Sequence, residues 1–170
     1  MKPHELESMM ATYPILCSDG MGVSRQSSDT AAKRREYFTS SRLDLTRRLK
    51  TITLASWWMD GRPKTKTIRP MTTYSMKHLL EYELGIYMAD GEFIAGALHA
   101  GFTAKWFNDN DTTVSLNVSG KSLPTMQDVC QLRPSHQRAN LLALLADRGD
   151  EDPEIAAHFR SLVEAAPCST

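Results

Sequence analysis

The sequence predicts an α+β or α/β fold, with a small mixed sheet, two central helices and a C-terminal helical pair. Three observations carry that prediction. Residues 73–102 contain two apolar stripes at helical spacing, each closed by a glycine, Gly85 and Gly101. Short stretches on either side, Lys50–Leu54 and Val114–Val118, alternate polar with apolar side chains as half-buried strands do. Near the end, Leu141, Leu142, Leu144 and Leu145 form one helical stripe, and Ile155, Ala156, Phe159, Leu162 and Val163 form another beyond Pro153.

In chain order, His4–Tyr13 reads as a short helix ended by Pro14, and Cys17–Ser28 has the composition of a linker. Residues 1–28 are therefore expected to be an N-terminal arm, and residues 29–170 a single globular domain. Ser28 or Asp29 can cap a helix running through Phe38, which the Ser40-Ser41 pair interrupts. Lys50–Leu54 follows as a strand, and Ala55–Asp60 as one helical turn carrying Trp57 and Trp58, stopped by Gly61. Arg62–Pro70, bounded by Pro63 and Pro70, is a basic loop or edge strand.

Ser75 is placed to cap the first central helix, with Met76, Leu79, Leu80 and Leu84 on its apolar side. Ile86–Met88 is a short extended piece. Asp90 is placed to cap the second helix, whose stripe is Phe93, Ile94, Ala97 and Leu98. Its small residues, Ala95, Gly96, Ala97 and Ala100, require another element to pack very close. Thr103–Ser119 reads as a hairpin around an Asn-Asp-Asn-Asp turn, giving strands near 50–54, 65–69, 103–107 and 113–118. Thr125–Leu132 is a further helix, and Ser135 is placed to cap His136–Arg148.

Composition bounds the function classes. A chain of 170 residues, 41% hydrophobic and 24% charged, is the size of one cored domain. No apolar run approaches the roughly 20 residues that span a bilayer, and the first residues lack a signal peptide's apolar segment, so a cytoplasmic location without membrane contact is expected. Cys17, Cys130 and Cys168 are far apart and form no Cys-x-x-Cys pair, which predicts free thiols. The histidines have no ligand spacing, and His78 and His99 read as surface or capping residues. No Walker loop, Gly-x-Ser-x-Gly or Gly-x-Gly-x-x-Gly occurs. No catalytic, metal or cofactor site is predicted.

Charge is the stronger signal. The formal net charge is zero, yet eleven basic residues face three acids between Lys33 and Arg69, while thirteen acids face six basic residues from Glu81 onward. Such asymmetry suits a partner bearing phosphates or acidic side chains, or two solvated faces. The candidate contact residues are Arg47, Arg48, Trp58, Arg62, Lys64, Lys66 and Arg69. Adjacent tryptophans with basic neighbours can be a stacking platform for bases, or core anchors. At i, i+1 spacing one is expected to face inward, leaving Trp58 as the contact. The acidic half, through Asp150, Glu151, Asp152 and Glu154, offers mimicry of nucleic acid as another mode.

Helix, helix and hairpin in that order also describe a winged helix-turn-helix, with a recognition helix starting at Thr103. Separately, Tyr87, Asp90-Gly91-Glu92, Ala95, Ala97 and Gly101 resemble the Tyr, Gly-Glu-Arg-Arg, Ala-Ala, Gly pattern of the ParB/sulfiredoxin fold, in which a strand enters a helix whose N-terminus holds a nucleotide phosphate. Phe93 and Ile94 replace that family's arginine pair, so its nucleotide chemistry does not carry over. Thr73–His78 and Asp90–Ala95 are similar to segments of small plasmid and prophage accessory proteins, including the fertility-inhibition type. That resemblance implies a non-enzymatic accessory protein that binds and inhibits a larger nucleoprotein machine, a CRISPR effector or a conjugation component. A nucleic-acid-binding regulator is the next reading, and a ParB/sulfiredoxin-like nuclease or nucleotide hydrolase the third.

Overall fold

The structure is a computed structural model and describes residues 1–23, 30–68, 71–106 and 112–165. The chain divides into two compact units, Met1–His78 with Met88–Leu123, and Leu79–Tyr87 with Pro124–Thr170. The fold is α+β, dominated by helices, with two antiparallel two-stranded sheets.

In the first unit, helix α1 (Pro3–Thr12) starts on a proline, whose missing N–H is harmless in a first turn. Strands β1 (Leu16–Cys17) and β2 (Gly20–Met21) then pair as a short hairpin. Leu6, Met10, Leu16, Cys17 and Met21 are all buried. This corrects the expected arm over residues 1–28: its polar, glycine-rich composition reflects a tight hairpin that packs on the core. Ser28 and Asp29 lie outside the described residues; Thr30 caps α2 (Ala31–Thr46), accepting the Lys33 N–H at 3.2 Å. The helix runs through the Ser40-Ser41 pair because Ser41 faces inward. There its hydroxyl donates to Asp19 Oδ2 at 3.2 Å and accepts the Asp19 N–H at 3.3 Å.

Helix α3 (Leu49–Met59) overturns the strand expected at Lys50–Leu54. Every residue from Ile52 to Met59 is buried, so the apolar pattern wraps the helix and the period-two alternation carries no information. Its length and burial override the β-branched Thr51, Ile52 and Thr53. Trp57 and Trp58 are each only 5% exposed, so both tryptophans belong to the core, against the expectation that one would face outward.

Helix α4 (Thr73–Leu84) starts in the first unit and ends in the second, and α5 (Asp90–His99) returns to the first. The residue preceding α5 is Ala89; Asp90 is its first residue, receiving the Thr73 hydroxyl at 3.3 Å. The close neighbour demanded by the small residues of α5 is α3. A Cβ on Gly96 would stand 2.6 Å from the Ala55 Cβ and 2.7 Å from the Ile52 carbonyl oxygen. Phe93 meets Trp58 edge-on across the same contact, ring centroids 6.1 Å apart. Gly91 lies against the carbonyls of Cys17 and Ser18 and donates its N–H to Ser18 at 3.0 Å. Gly101, with φ +80°, closes the helix as its spacing predicts.

Residues 114–119 are the hub of the remaining backbone pairing in this unit. Strand β3 (Ala104–Lys105) pairs with β4 (Ser115–Leu116), which lies inside that hub. Val114 accepts the Thr73 N–H at 2.7 Å, Asn117 accepts the Thr65 N–H at 2.6 Å, and Ser119 donates to Pro63 at 2.9 Å. Asn117 also donates its N–H to Thr103 at 3.2 Å, while its side-chain oxygen accepts the Thr103 N–H at 2.7 Å. The strand expected over 65–69 is reduced to a bridge between Lys64 and Val118, because its residues pair through isolated bonds. Pro70 and the Asn-Asp-Asn-Asp turn lie outside the described residues.

In the second unit, the end of α4 meets α6 (Met126–Val129), α7 (Pro134–Arg148) and α8 (Pro153–Ala165). Gln137 and Asn140 donate to the carbonyls of Tyr82 and Glu83 at 2.8 and 3.2 Å, satisfying acceptors that a helix end leaves open. Gly85 follows at φ +71°, as expected of a helix cap. Thr125 and Asp128 form a reciprocal capping box on α6, which is one turn rather than the expected Thr125–Leu132. The expected C-terminal pair is present, burying Leu141, Leu145, Ile155, Ala156 and Phe159.

The α3–α5 contact yields a direct test. Gly96→Val should lower stability by at least the roughly 1–3 kcal/mol of overpacking, because its nearest neighbours include backbone that cannot move aside. Gly120→Ala, where nothing lies within 4 Å, should leave the urea midpoint nearly unchanged. Equal midpoints for the two variants would contradict the close crossing.

Candidate interaction surface

The basic residues singled out by the sequence separate into two classes once their partners are known. Arg47 lies 3.5 Å from Asp44 one turn earlier, and Arg48 lies 3.7 Å from Glu92, a carboxylate that is only 5% exposed at the start of α5. Burying Glu92 costs hydration that Arg48 and the helix N-terminus partly replace. Arg62 is committed further. Its guanidinium lies 4.0 Å from the centroid of a Trp58 ring, its Nε donates to the Trp58 carbonyl at 2.9 Å, and Nη1 donates to the Ser122 carbonyl. Trp58 and Arg62 thus tie the end of α3 to the 120–122 turn, and a buried Trp58 cannot present its face to a base.

Lys64 and Lys66 belong to the other class. Both are exposed on the segment pinned to the 114–119 hub. Among the described residues neither sits in an ion pair. Lys64 Nζ lies 5.1 Å from the Phe102 ring centroid, which places its charge above the chain entering β3. Across the hub, exposed Lys105 stands in register with Ser115, next to Trp106 at 37% exposure. The structure therefore brings Lys64 and Lys66 to the same small β framework as Lys105 and Trp106. Arg69 lies outside the described residues. Lys105 and Trp106 were missed as candidates because the contrast among tryptophans, two buried and one exposed, is invisible along the sequence.

The winged-helix expectation fails at its recognition element, since residues 103–106 are extended and include β3. The acids proposed for mimicry also have local duties. Asp152 accepts the Ile155 N–H at 3.2 Å at the start of α8, and Glu151 bonds Arg148 at 3.0 Å. Residues 85–89 ahead of α5 have no strand pairing.

A second polar constellation joins α1, α3 and α5. Ser56 Oγ and His99 Nδ1 are 2.9 Å apart, and His99 Nε2 lies 3.6 Å from Glu5 Oε2. This corrects the reading of His99 as a surface or capping residue. The order serine, imidazole, carboxylate is that of an activated nucleophile. Ser56, however, is 5% exposed in the middle of α3, where substrate cannot reach its hydroxyl. The arrangement is a polar clasp in which the imidazole links a buried hydroxyl to a carboxylate. Nothing in the local sequence signals it, since Glu5, Ser56 and His99 belong to three different helices.

Hydrogen bonding from the Lys2 backbone N–H, reinforced by nearby His99, holds the Glu5 carboxyl below its ordinary value of 4.5. A carboxyl depressed in the folded state contributes stability that is present above that value and disappears as pH falls through the lower folded one. Glu5→Gln should therefore be less stable than the parent near neutrality, and the two should converge below pH 4.5. A stability gap that persists undiminished at about pH 3 would rule this out.

The two basic classes should also respond differently to truncation. Arg62→Ala should cost about 1–3 kcal/mol by removing the ring contact and leaving the Ser122 carbonyl without its guanidinium donor. Lys66→Ala should stay within about 0.5 kcal/mol of the parent. Comparable losses in thermal unfolding would show that Arg62 is no more structural than Lys66.

No helix among the described residues is long and apolar enough to cross a membrane. Compared with known proteins, the chain matches no family model, no curated protein and no solved structure.

Proposed function

We propose that this chain is a non-enzymatic accessory protein of a mobile element that binds a larger nucleoprotein machine and inhibits it. The observation that carries the reading is the basic face built on the 114–119 hub, where Lys64, Lys66 and Lys105 are exposed on paired backbone. Lysines whose charge is not consumed internally attract phosphates or acidic side chains at a distance, and a fixed backbone lowers the ordering cost of docking. The charge asymmetry of the chain and the resemblance of Thr73–His78 and Asp90–Ala95 to plasmid and prophage accessory proteins supply the biological setting. Arg48, Arg62 and Trp58 support this face from behind and are not its contacts.

Inhibition is measured directly by expressing the chain in cells that carry a CRISPR effector, and in donors of a conjugative plasmid. Interference or plasmid transfer should fall, and the variant Lys64→Glu, Lys66→Glu, Lys105→Glu should lose the effect while keeping its melting temperature. If neither process is reduced by the unaltered chain, or if the variant inhibits as well as the parent, this function is wrong.

A further inference from the structure

We propose that the basic face takes single-stranded nucleic acid, with Trp106 as the stacking platform; this rests on the reading of the face as the contact surface of the chain. Three features point to one occupant. Lys64 and Lys66 carry charge that no ion pair among the described residues absorbs, and Lys105 adds a third exposed ammonium across the hub. Trp106 follows Lys105 directly and is 37% exposed, whereas Trp57 and Trp58 are each 5% exposed. An aromatic ring among lysines is how single strands are held without sequence preference, because every unpaired base offers a face to stack while its phosphate meets an ammonium.

The spacing suits such a strand. Lys64 Nζ sits beside Gly101 and over Phe102, and Trp106 is four residues further along the same extended segment. At the rise of a strand that is at most about 13 Å, short enough for one stretch of backbone to touch both. A duplex is a poorer fit. Its bases are stacked on one another and unavailable to Trp106, and the exposed lysines stand on a loop and a two-residue strand with no helix to enter a groove.

The test compares fluorescent oligothymidine with a hairpin duplex of the same charge in anisotropy titrations at low and raised salt, using the full chain. Oligothymidine should bind more tightly than duplex, with affinity falling steeply as salt rises. It should also quench intrinsic fluorescence, a change that comes from Trp106 because the other two tryptophans are buried. Trp106→Ala should weaken oligothymidine binding about tenfold, and Trp106→Phe should restore most of it. The quenching of the unaltered chain gives the answer even if Trp106→Ala fails to fold.

Duplex binding as tight as oligothymidine binding, with no quenching, overturns the single-strand assignment and leaves the basic face as a duplex contact. Failure of both nucleic acids to bind at low salt also overturns it. In that case, continued inhibition in cells that depends on the three lysines would identify an acidic protein surface as the partner. Loss of inhibition altogether, with oligothymidine binding intact, would instead remove the accessory-protein reading and leave the binding site standing.

Discussion

The close crossing of α3 and α5 is the constraint on which the first unit depends. Gly96 lets the backbone of one helix lie against Ala55, Ile52 and Ser56 of the other, and any side chain there would force the helices apart. Because the helices are close, Phe93 reaches Trp58 and His99 reaches Ser56. Gly91 works at the opposite end of α5, admitting the β1–β2 turn against the helix. One ten-residue helix is thereby held by an N-terminal hairpin and by α3, which is why residues that look like an arm are structural.

This packing also decides which charges are available to a partner. Arg62 is captured by the ring and carbonyl of Trp58, and Arg48 is drawn to Glu92, so two of the most basic-looking positions stabilise the fold. Lys64 and Lys66 lie beyond that zone, on chain pinned by Pro63 and Thr65 to the 114–119 segment. A guanidinium has five donors in a planar fork and suits a site that offers a ring and carbonyls together. Compact, strongly hydrated ammonium groups remain in water. The division of labour between arginine and lysine here follows from that difference.

Much of the helical content was legible because glycine and capping residues act locally. Gly85 and Gly101 adopt positive φ at the ends of α4 and α5, Thr125 caps α6, and Pro153 begins α8. The C-terminal pair was legible from its leucine stripe, although Leu142 and Leu162 remain 41% and 46% exposed. Lys50–Leu54 was misread because α3 is buried on all sides, and an apolar pattern without a polar face gives no period to read. The candidate surface was half legible: Lys64 and Lys66 followed from their flanking prolines, but Trp106 did not, since exposure is a property of what surrounds a ring.

The sequence by itself determined the α+β class, the close neighbour required by the small residues of α5, the pairing of the last two long helices and the uneven distribution of charge. These depend on local propensity, spacing and composition, which act along the chain. Tertiary structure alone decided that Trp57 and Trp58 are core, that Arg62 is a structural cation, that Glu5, Ser56 and His99 meet, and that Lys105 and Trp106 share a framework with Lys64. Each depends on residues distant in sequence competing for the same space, hydrogen-bonding groups and charge, and that competition is settled only when the chain is packed.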